Sequence, residues 1–321
     1  MPSPSPSPVP VVLLGATGTA GHATAHALKD AGHDVLAFGR RDPGINGITA
    51  QIGDVGDVAA LTNAMRGHGA QAVVSCLASR TGTPAEAWAI DHRANAAVLA
   101  AAQAAGVQQM ILLSAICVQK PRLAFQHAKL AFEAELIASG LRYSIVRPTA
   151  FFKSLAGQVA RVQAGKPYLL FGDGRLTACK PISDRDLGRY ITACLSDPAL
   201  QNRVLPIGGP GPALTPRDMG EYLFEATGKP PRFRHVPLRF IGGIGTVLDA
   251  LGRISPRLAT KAELARIGQY YASESMLLWD DVQQTYDADA TLEFGQDRLF
   301  DYYDALIAGR ATLARGDHAV F

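Results

Sequence analysis

Short, mostly apolar runs alternate with helical patterns through the first 148 residues of the chain. The runs predict six β-strands, at residues 11–14, 34–38, 51–55, 72–76, 109–113 and 143–146. Segments with apolar or alanine-rich faces predict helices between them, at residues 20–31, 85–105 and 123–139. Strands that alternate with helices are typical of a parallel sheet covered on both faces. The pattern therefore predicts an α/β protein with a Rossmann fold, a doubly wound parallel sheet.

Three glycines separate the first predicted strand from the first predicted helix. Gly15, Gly18 and Gly21 have the spacing Gly-x-x-Gly-x-x-Gly, with Thr17 and Thr19 between them. Glycines at this place permit a sharp turn, close approach of a pyrophosphate to the backbone, and close packing of helix on strand. The N-terminus of the helix would direct unpaired N–H groups at the phosphates. The loop therefore predicts a dinucleotide site.

The end of the second predicted strand indicates which dinucleotide is bound. Arg40 and Arg41 stand where an acidic residue would favour NAD and an arginine accommodates the 2′-phosphate of NADP. We therefore expect NADPH as the cofactor, with two solvated arginines as the alternative. After the third strand, Asp54 and Val55 are expected beside the adenine, and Asp57 is equally placed to cap the next helix.

The pattern becomes irregular after residue 150. A turn signal at residues 172–174 predicts a hairpin between residues 168–171 and 176–178. Ser183 and Thr215 are each followed three positions later by an aspartate, which predicts that they are helix N-caps.

These patterns suggest three regions. Residues 1–8 form a proline- and serine-rich tail, residues 9–150 the NADP-binding Rossmann domain, and residues 151–321 a smaller, irregular α/β region that binds the substrate. Within the last region, residues 236–254 are apolar and rich in glycine. This segment is compatible with a core helix, a pocket lining or a contact with a membrane surface.

Composition and charge narrow the function classes. The 321-residue chain has a net charge of +3 and no basic run, so we expect no nucleic-acid partner. Its four cysteines lie far apart, so we predict neither a metal site nor a disulfide framework, and we expect reduced thiols in the cytoplasm. No apolar run reaches the ~18 residues of a membrane span.

Candidate catalytic residues follow the fifth predicted strand. Ser114 ends that strand, and Lys129 stands where short-chain dehydrogenases carry the lysine of Tyr-x-x-x-Lys. That lysine holds the nicotinamide ribose and lowers the pKa of the tyrosine, which exchanges a proton with a carbonyl or alcohol. The position four before Lys129 is Phe125, whose ring cannot donate a proton. Lys129 is therefore expected to hold the ribose, with a solvated helix lysine as the alternative.

Several longer segments resemble a known enzyme family. They are LSAICVQKP at residues 113–121, FQHAK at 125–129, YSIVRPTAFFKS at 143–154, GKPY at 165–168, FGDG at 171–174, ACKPIS at 178–183, VLPIGGPG at 204–211 and IGQYYASESM at 267–276. Together they resemble the NADPH-dependent divinyl chlorophyllide 8-vinyl reductases, which are atypical short-chain dehydrogenases. The similarity covers about residues 9–300, including the second half, where other NADP-binding proteins of this fold diverge. Phe125 in place of tyrosine is the usual pattern of that family.

The resemblance implies reduction of a vinyl group to ethyl on a chlorophyllide-type tetrapyrrole, in chlorophyll or bacteriochlorophyll biosynthesis for photosynthesis. The catalytic residues are then expected among Lys129, Ser114 and Tyr143. Further cofactor contacts are expected from Leu77, Ala78, Pro148 and Thr149. Substrate contacts are expected from Phe125, Phe151, Phe152, Lys153, Tyr168, Lys180, Tyr270 and Tyr271. Lys153 or Lys180 could bind the substrate carboxylate. Phe151 and Phe152 could equally be core residues.

A mechanism consistent with this reaction begins with hydride addition to the terminal vinyl carbon. The macrocycle would spread the developing negative charge, and the inner carbon would then take a proton. The sequence does not rank the proton donors, which could be Tyr143, Tyr168, Tyr270, Tyr271, Lys129 or a bound water.

Two other functions are compatible with the sequence. One is a non-catalytic NADP-sensing regulator of the NmrA-like type, and the other is a lysine-dependent reductase of small aromatic substrates. A nucleotide-sugar epimerase is disfavoured by Phe125, because that chemistry relies on the tyrosine. The apolar substrate also suggests a peripheral contact with a photosynthetic membrane, and the sequence leaves the oligomeric state open.

Overall fold

A seven-stranded sheet forms the centre of the computed structural model, which describes residues 8–237 and 256–312. Its strands are β1 Pro10–Leu14, β2 Asp34–Gly39, β3 Thr49–Ile52, β4 Ala72–Ser75, β5 Gln109–Leu113, β6 Arg142–Pro148 and β8 Arg203–Ile207. They lie in the order β3-β2-β1-β4-β5-β6-β8, and each neighbouring pair is parallel. The strand order reverses between β1 and β4, where such sheets bind ligands beyond the carboxyl ends of the strands. The predicted doubly wound Rossmann sheet is therefore confirmed.

Helices connect the first six strands except β2 and β3, which a loop joins. They are α1 Thr19–Asp30, α2 Val58–His68, α3 Pro84–Ala87, α4 Asn95–Ala105 and α5 Ala124–Ala138. The segment between α3 and α4, Trp88–Ala94, is a π-helix, and a 3-10 turn at Ile116–Gln119 follows β5. The single helix expected over residues 85–105 is therefore interrupted by a wider turn, a feature that is frequent at functional sites.

Alternate residues of β1 face opposite layers of the core. Val11 and Leu13 belong to the cluster that includes buried residues of α1, whereas Val12 and Leu14 pack with residues of α2, α4 and α5. All four side chains are fully buried. Burial on both faces is the reason why this strand reads as a continuous apolar run.

The region after residue 150 contributes both to the sheet and to a core of its own. Its other elements are α6 Phe152–Leu155, α7 Val159–Gln163, β7 Tyr168–Phe171, α8 Asp184–Ala193, α9 Pro216–Ala226, β9 Phe233–Val236, α10 Pro256–Ser273, β10 Leu278–Asp280, β11 Thr285–Asp287 and α11 Leu299–Ile307. Strand β8 pairs with β6, and α8 packs on α1 so closely that a Cβ on Gly188 would lie 2.7 Å from the carbonyl oxygen of Ala23. The boundary expected at residue 150 therefore does not separate the sheet from the second region.

The hairpin predicted at residues 172–174 is wrong. Strand β7 pairs in parallel with β9, and these two form a separate two-stranded sheet. The N-cap predictions are confirmed, since the hydroxyls of Ser183 and Thr215 accept the N–H of Asp186 and Asp218. Most of the apolar segment at residues 236–254 and most of the N-terminal tail lie outside the described residues. Within the described ranges no helix is long and apolar enough to cross a membrane.

Candidate active site

The glycine loop forms a cradle that side chains would fill. Gly15 has φ +81°, and a Cβ there would lie 2.6 Å from the carbonyl oxygen of Cys76 at the end of β4. A Cβ on Gly21 would lie 2.1 Å from the carbonyl oxygen of Gly15. The exposed Gly18 is the N-cap of α1 and offers no side-chain cap, and the first turn of α1 contains no acidic residue. An exposed helix N-terminus beneath a glycine turn fits the pyrophosphate of a dinucleotide.

The expected adenosine contacts lie beyond the carboxyl ends of β2 and β3. Arg40 and Arg41 are exposed directly after β2. The exposed Asp54 accepts the N–H of Gly56 at 2.9 Å, and Val55 is half-buried against the core. Asp57 caps α2 by accepting the N–H of Ala60 at 3.0 Å, which confirms the cap interpretation. The cofactor contacts of the two arginines, Asp54 and Val55 stay predictions.

The other expected cofactor residues follow β4 and β6 at the same carboxyl edge of the sheet. Leu77 is half-buried and Ala78 exposed, while Pro148 and Thr149 are buried. The hydroxyl of Thr149 donates to the carbonyl oxygen of Lys180, so this proton is engaged within the protein.

Lys129 is held by a carboxylate that the sequence analysis missed. Its Nζ lies 3.0 Å from Oδ1 of Asp91, and the two side chains are 9% and 0% exposed. Asp91 stands on the π-helix and also accepts the N–H of Ser79 at 3.4 Å. The solvated interpretation of Lys129 is therefore wrong. The sequence carried no clear signal for this pairing, because His92 and Arg93 directly follow Asp91 and made it read as part of a charged surface run.

Ser114 lies at the end of β5 as expected, but its hydroxyl is used within the protein. It donates to Oε1 of Glu133 at 2.5 Å, and the buried Glu133 also binds the guanidinium of Arg147. Glu133 is one helical turn beyond Lys129 on α5. The hydroxyl proton of Ser114 therefore belongs to a buried Ser114–Glu133–Arg147 network.

Tyr143 lies at the wrong end of the sheet for catalysis. It is the second residue of β6, where its N–H and C=O groups bond the side chain and backbone of Asn202. Arg147, at the carboxyl end of the same strand, lies four residues away, or about 13 Å at the rise of a strand. The prediction that Tyr143 acts together with Lys129 is wrong, because β6 points this residue to the opposite edge.

An apolar cluster borders Lys129. It consists of the buried Cys117, Leu123, Ile267 and Tyr270, with Ala115, Phe125 and Tyr271 half-buried against them. Burial raises the pKa of the Cys117 thiol, and the nearby charge of Lys129 acts in the opposite direction. Phe125 and Lys129 share a face of α5 because they are four residues apart. Helix α10 therefore brings aromatic residues from the far end of the chain beside the candidate catalytic lysine.

The two tyrosines of this cluster have different hydrogen-bond partners. The hydroxyl of Tyr270 donates to the carbonyl oxygens of Cys117 and Lys120, at 2.8 and 3.1 Å. The hydroxyl of Tyr271 lies 3.7 Å from Sγ of Cys117. Tyr270 is thus engaged by backbone groups, which makes it a structural residue rather than a substrate contact.

Three other expected substrate residues are structural. Phe152 and Tyr168 are buried in the core of the second region. This confirms the core alternative for Phe152 and contradicts the predicted contact of Tyr168 with the substrate. Lys180 is also buried, and its Nζ lies 2.6 Å from Oε1 of Glu293, so it is not available to a substrate carboxylate. Phe151 is half-buried against the core on the α1 side.

Lys153 lies beside the glycine loop. Its Nζ is 3.2 Å from Oγ1 of Thr19, the first residue of α1. The expected role of Lys153 was to bind the substrate carboxylate, whereas the structure brings its ammonium to the N-terminus of the cofactor-binding helix. In the part of the chain that the structure describes, no group of side chains forms a metal site.

The fold and the glycine cradle define a dinucleotide-binding protein, and the chain matches the NAD(P)H-binding family over residues 15–198. The divinyl chlorophyllide a 8-vinyl-reductase of Zea mays is 46% identical over 330 residues, covering 97% of this chain and 82% of that protein. The enzyme of the same name from Arabidopsis thaliana is 43% identical over 317 residues, covering 92% and 76%. This chain belongs to the family of divinyl chlorophyllide a 8-vinyl-reductases.

A solved structure supports the fold over nearly the whole chain. The NADPH-dependent quinone oxidoreductase of Escherichia coli, in complex with NADPH, superposes with a TM-score of 0.68. The match covers 92% of this chain and 99% of that chain at 19% sequence identity. At this identity the similarity establishes a shared fold and leaves the substrate to be argued from the site.

Proposed function

We propose that this protein uses NADPH to reduce the 8-vinyl group of divinyl chlorophyllide a, or of a close precursor, to ethyl. The observation that carries the proposal is the pairing of Phe125 and Lys129 on one helix face, in a chain 46% identical to a reductase of that name. Such a site can hold a nicotinamide ribose but lacks the tyrosine that protonates a carbonyl. The reaction belongs to chlorophyll or bacteriochlorophyll biosynthesis.

In this proposal, different residues bind different parts of the dinucleotide. When bound, NADPH supplies the hydride that the vinyl group takes up. The glycine loop binds the pyrophosphate, Arg40 and Arg41 bind the 2′-phosphate, and Lys129 binds the nicotinamide ribose. Asp91 fixes the Lys129 ammonium, because a buried charge without its partner is strongly unfavourable.

The apolar cluster supplies the wall for the macrocycle. Phe125, Ile267 and Tyr271 present apolar surface beside Lys129. Gly82, at φ +67°, comes so close to this wall that a Cβ there would lie 2.8 Å from Cδ1 of Ile267. Packing a flat aromatic ring system on such a surface positions its vinyl group, and positioning can lower a barrier by roughly 7–11 kcal/mol in well-oriented cases.

The proton donor is Tyr271 in this proposal. Tyr143 lies at the opposite edge, Tyr168 is buried in the second core, and Tyr270 donates to two carbonyl oxygens. The hydroxyl of Tyr271 contacts the Cys117 thiol at 3.7 Å, and burial raises the pKa of the phenol well above its usual value. The raised pKa makes this phenol a weak acid, so in this proposal it gives up its proton only to a strongly basic carbon, such as one made negative by hydride addition.

An absorption assay tests the proposed reaction. Purified protein, NADPH and divinyl chlorophyllide a are mixed, and the Soret band is followed for the blue shift expected when a conjugated vinyl group becomes ethyl. The shift should require NADPH, be weaker with NADH, and weaken when Arg40 is changed to Glu.

Two outcomes would favour the other functions. Intact NADPH binding without any Soret shift would favour an NADP-sensing regulator. Reduction of small enones, with no activity on the tetrapyrrole, would favour the lysine-dependent reductase.

The proposed substrate also indicates where in the cell the protein works. The relatives are named as chloroplastic proteins, and the proposed substrate is a largely apolar ring system. We expect this chain to work in the cytoplasm, in peripheral contact with a photosynthetic membrane. Co-sedimentation with lipid vesicles, with and without bound substrate, measures that contact, and absence of binding in both states would contradict it.

A further inference from the structure

Lys153 reaches the glycine loop from a rigid position in the second region. It lies on α6, directly after Phe152, whose ring is buried and stands 5.8 Å from the ring of Tyr302. The N–H of Phe152 bonds the carbonyl oxygen of Ile182 at 3.3 Å. The backbone that carries Lys153 is therefore fixed by packing and hydrogen bonding, and its ammonium is directed to Thr19.

This position brings two positive charges together. The N-terminus of α1 carries a partial positive charge, and a cation beside it is unfavourable. The first turn of α1 has no acidic residue, and no carboxylate pairs with Lys153 within residues 8–237 and 256–312. An anion between the N-terminus of α1 and the Lys153 ammonium would be attracted by both and would remove their mutual repulsion.

We propose that Lys153 is a cofactor-binding residue whose ammonium neutralises the pyrophosphate of NADPH. The proposal rests on the proposed function only for the identity of the dinucleotide. An ammonium has three donors on a compact charge, so Lys153 can keep Thr19 as one partner and bind phosphate oxygens with the others. The second region thereby completes the phosphate site of the first.

Binding of cofactor fragments tests this assignment without the substrate. Titration calorimetry with Lys153→Met compares NADPH, 2′-phospho-ADP-ribose and 2′-AMP, of which the last lacks the pyrophosphate. We expect the Kd to rise about 10- to 100-fold for the first two, as for a lost hydrogen bond to a charged group. The Kd for 2′-AMP should be unchanged, and the affinity of the variant for NADPH should depend less on salt.

A matched variant controls for net charge. Lys166→Met removes the same charge at an exposed position, just before the strand β7. It should leave all three dissociation constants unchanged. An equal loss of affinity in the two variants would overturn the proposal, because it would show a general charge effect.

Thermal unfolding without ligand separates binding from a structural role. Lys153→Met should leave the Tm of the free protein unchanged or raise it, because the substitution removes a repulsion. A lower Tm together with weaker binding of all three ligands would overturn the proposal in favour of a structural role.

The substrate-carboxylate role makes the opposite prediction. An unchanged Kd of Lys153→Met for NADPH, combined with a higher KM for divinyl chlorophyllide a, would overturn the proposal. It would show that Lys153 binds the substrate carboxylate instead. Because the fragment titrations contain no tetrapyrrole, failure of the reductase assay would leave their outcome intact.

Discussion

The Lys129 ammonium and the Asp91 carboxylate form a buried pair, 3.0 Å apart, that joins α5 to the π-helix. The wider turn of the π-helix lies in the middle of an otherwise regular helical segment. Asp91 is 1% exposed, and its carboxylate faces both Lys129 and the N–H of Ser79. The pair therefore fixes the candidate catalytic lysine by tertiary contact rather than through its own helix.

Asp91→Asn should destabilise the protein and slow the reaction. The substitution leaves the buried ammonium of Lys129 without its charge partner, which costs about 3–5 kcal/mol of the free energy of unfolding. Urea denaturation measures the stability, and the Soret assay measures kcat.

A double variant separates stability from positioning in this pair. Asp91→Asn combined with Lys129→Met should recover part of the lost stability, since no unpaired charge remains, and should recover no activity. Recovery of kcat in the double variant would contradict the role of Lys129 itself, because that variant has no ammonium for Asp91 to position.

Tyr271→Phe tests the proton donor. We expect kcat to fall about 100-fold or more, within the range of general acid catalysis, with an unchanged Kd for NADPH. Tyr143→Phe is the matched control and should leave kcat unchanged, because Tyr143 lies at the opposite edge of the sheet. Full activity of Tyr271→Phe would show that Lys129 or a bound water is the proton donor instead.

Gly21→Ala should unfold the glycine loop or abolish NADPH binding. Its Cβ would lie 2.1 Å from the carbonyl oxygen of Gly15, so the first turn of α1 would have to move away from β1. Gly67→Ala in α2 is the control, since a Cβ there meets nothing within 4 Å, and alanine should stabilise the helix by about 0.5–1 kcal/mol. Circular dichroism and NADPH titration on both variants measure these effects.

Acidification should weaken the attachment of α10 to the loop after β5. The carboxylate of Glu274 lies 2.8 Å from Nζ of Lys120 and 2.7 Å from the guanidinium of Arg122, and it accepts the hydroxyl of Tyr286 at 2.6 Å. Burial alone would raise the pKa of Glu274, but its bonds to Lys120 and Tyr286 and the charge of Arg122 hold the pKa below the ordinary value of 4.5.

The sign of the pH dependence follows from this lowered pKa. The stabilisation that the Glu274 carboxylate contributes is complete above the pKa that this group has in the unfolded chain. It is lost as the pH falls through the lower pKa of Glu274 in the folded protein. Glu274→Gln should therefore be less stable than the wild type at neutral pH, and the difference should shrink below about pH 4.5. A constant difference across the acid range would show that Glu274 contributes by packing alone.

The sequence by itself determined the elements that depend on local pattern. The continuous apolar run of β1 marked a strand buried on both faces, and Gly15, Gly18 and Gly21 marked the turn and the helix start that follow it. Ser183 and Thr215 marked two helix starts by the spacing to their aspartates. These features involve residues a few positions apart, so spacing alone is enough to predict them.

Only the tertiary structure decided which distant residues meet. Lys129 pairs with Asp91, which stands on a different helical segment. Lys153 reaches Thr19 across the fold, and Tyr271 arrives from α10 at the far end of the chain. Tyr143 and Phe152 had suitable chemistry, yet the strand direction and the second core remove them from the site. Spacing along the chain carries no information about such contacts, because strand order and helix packing set them.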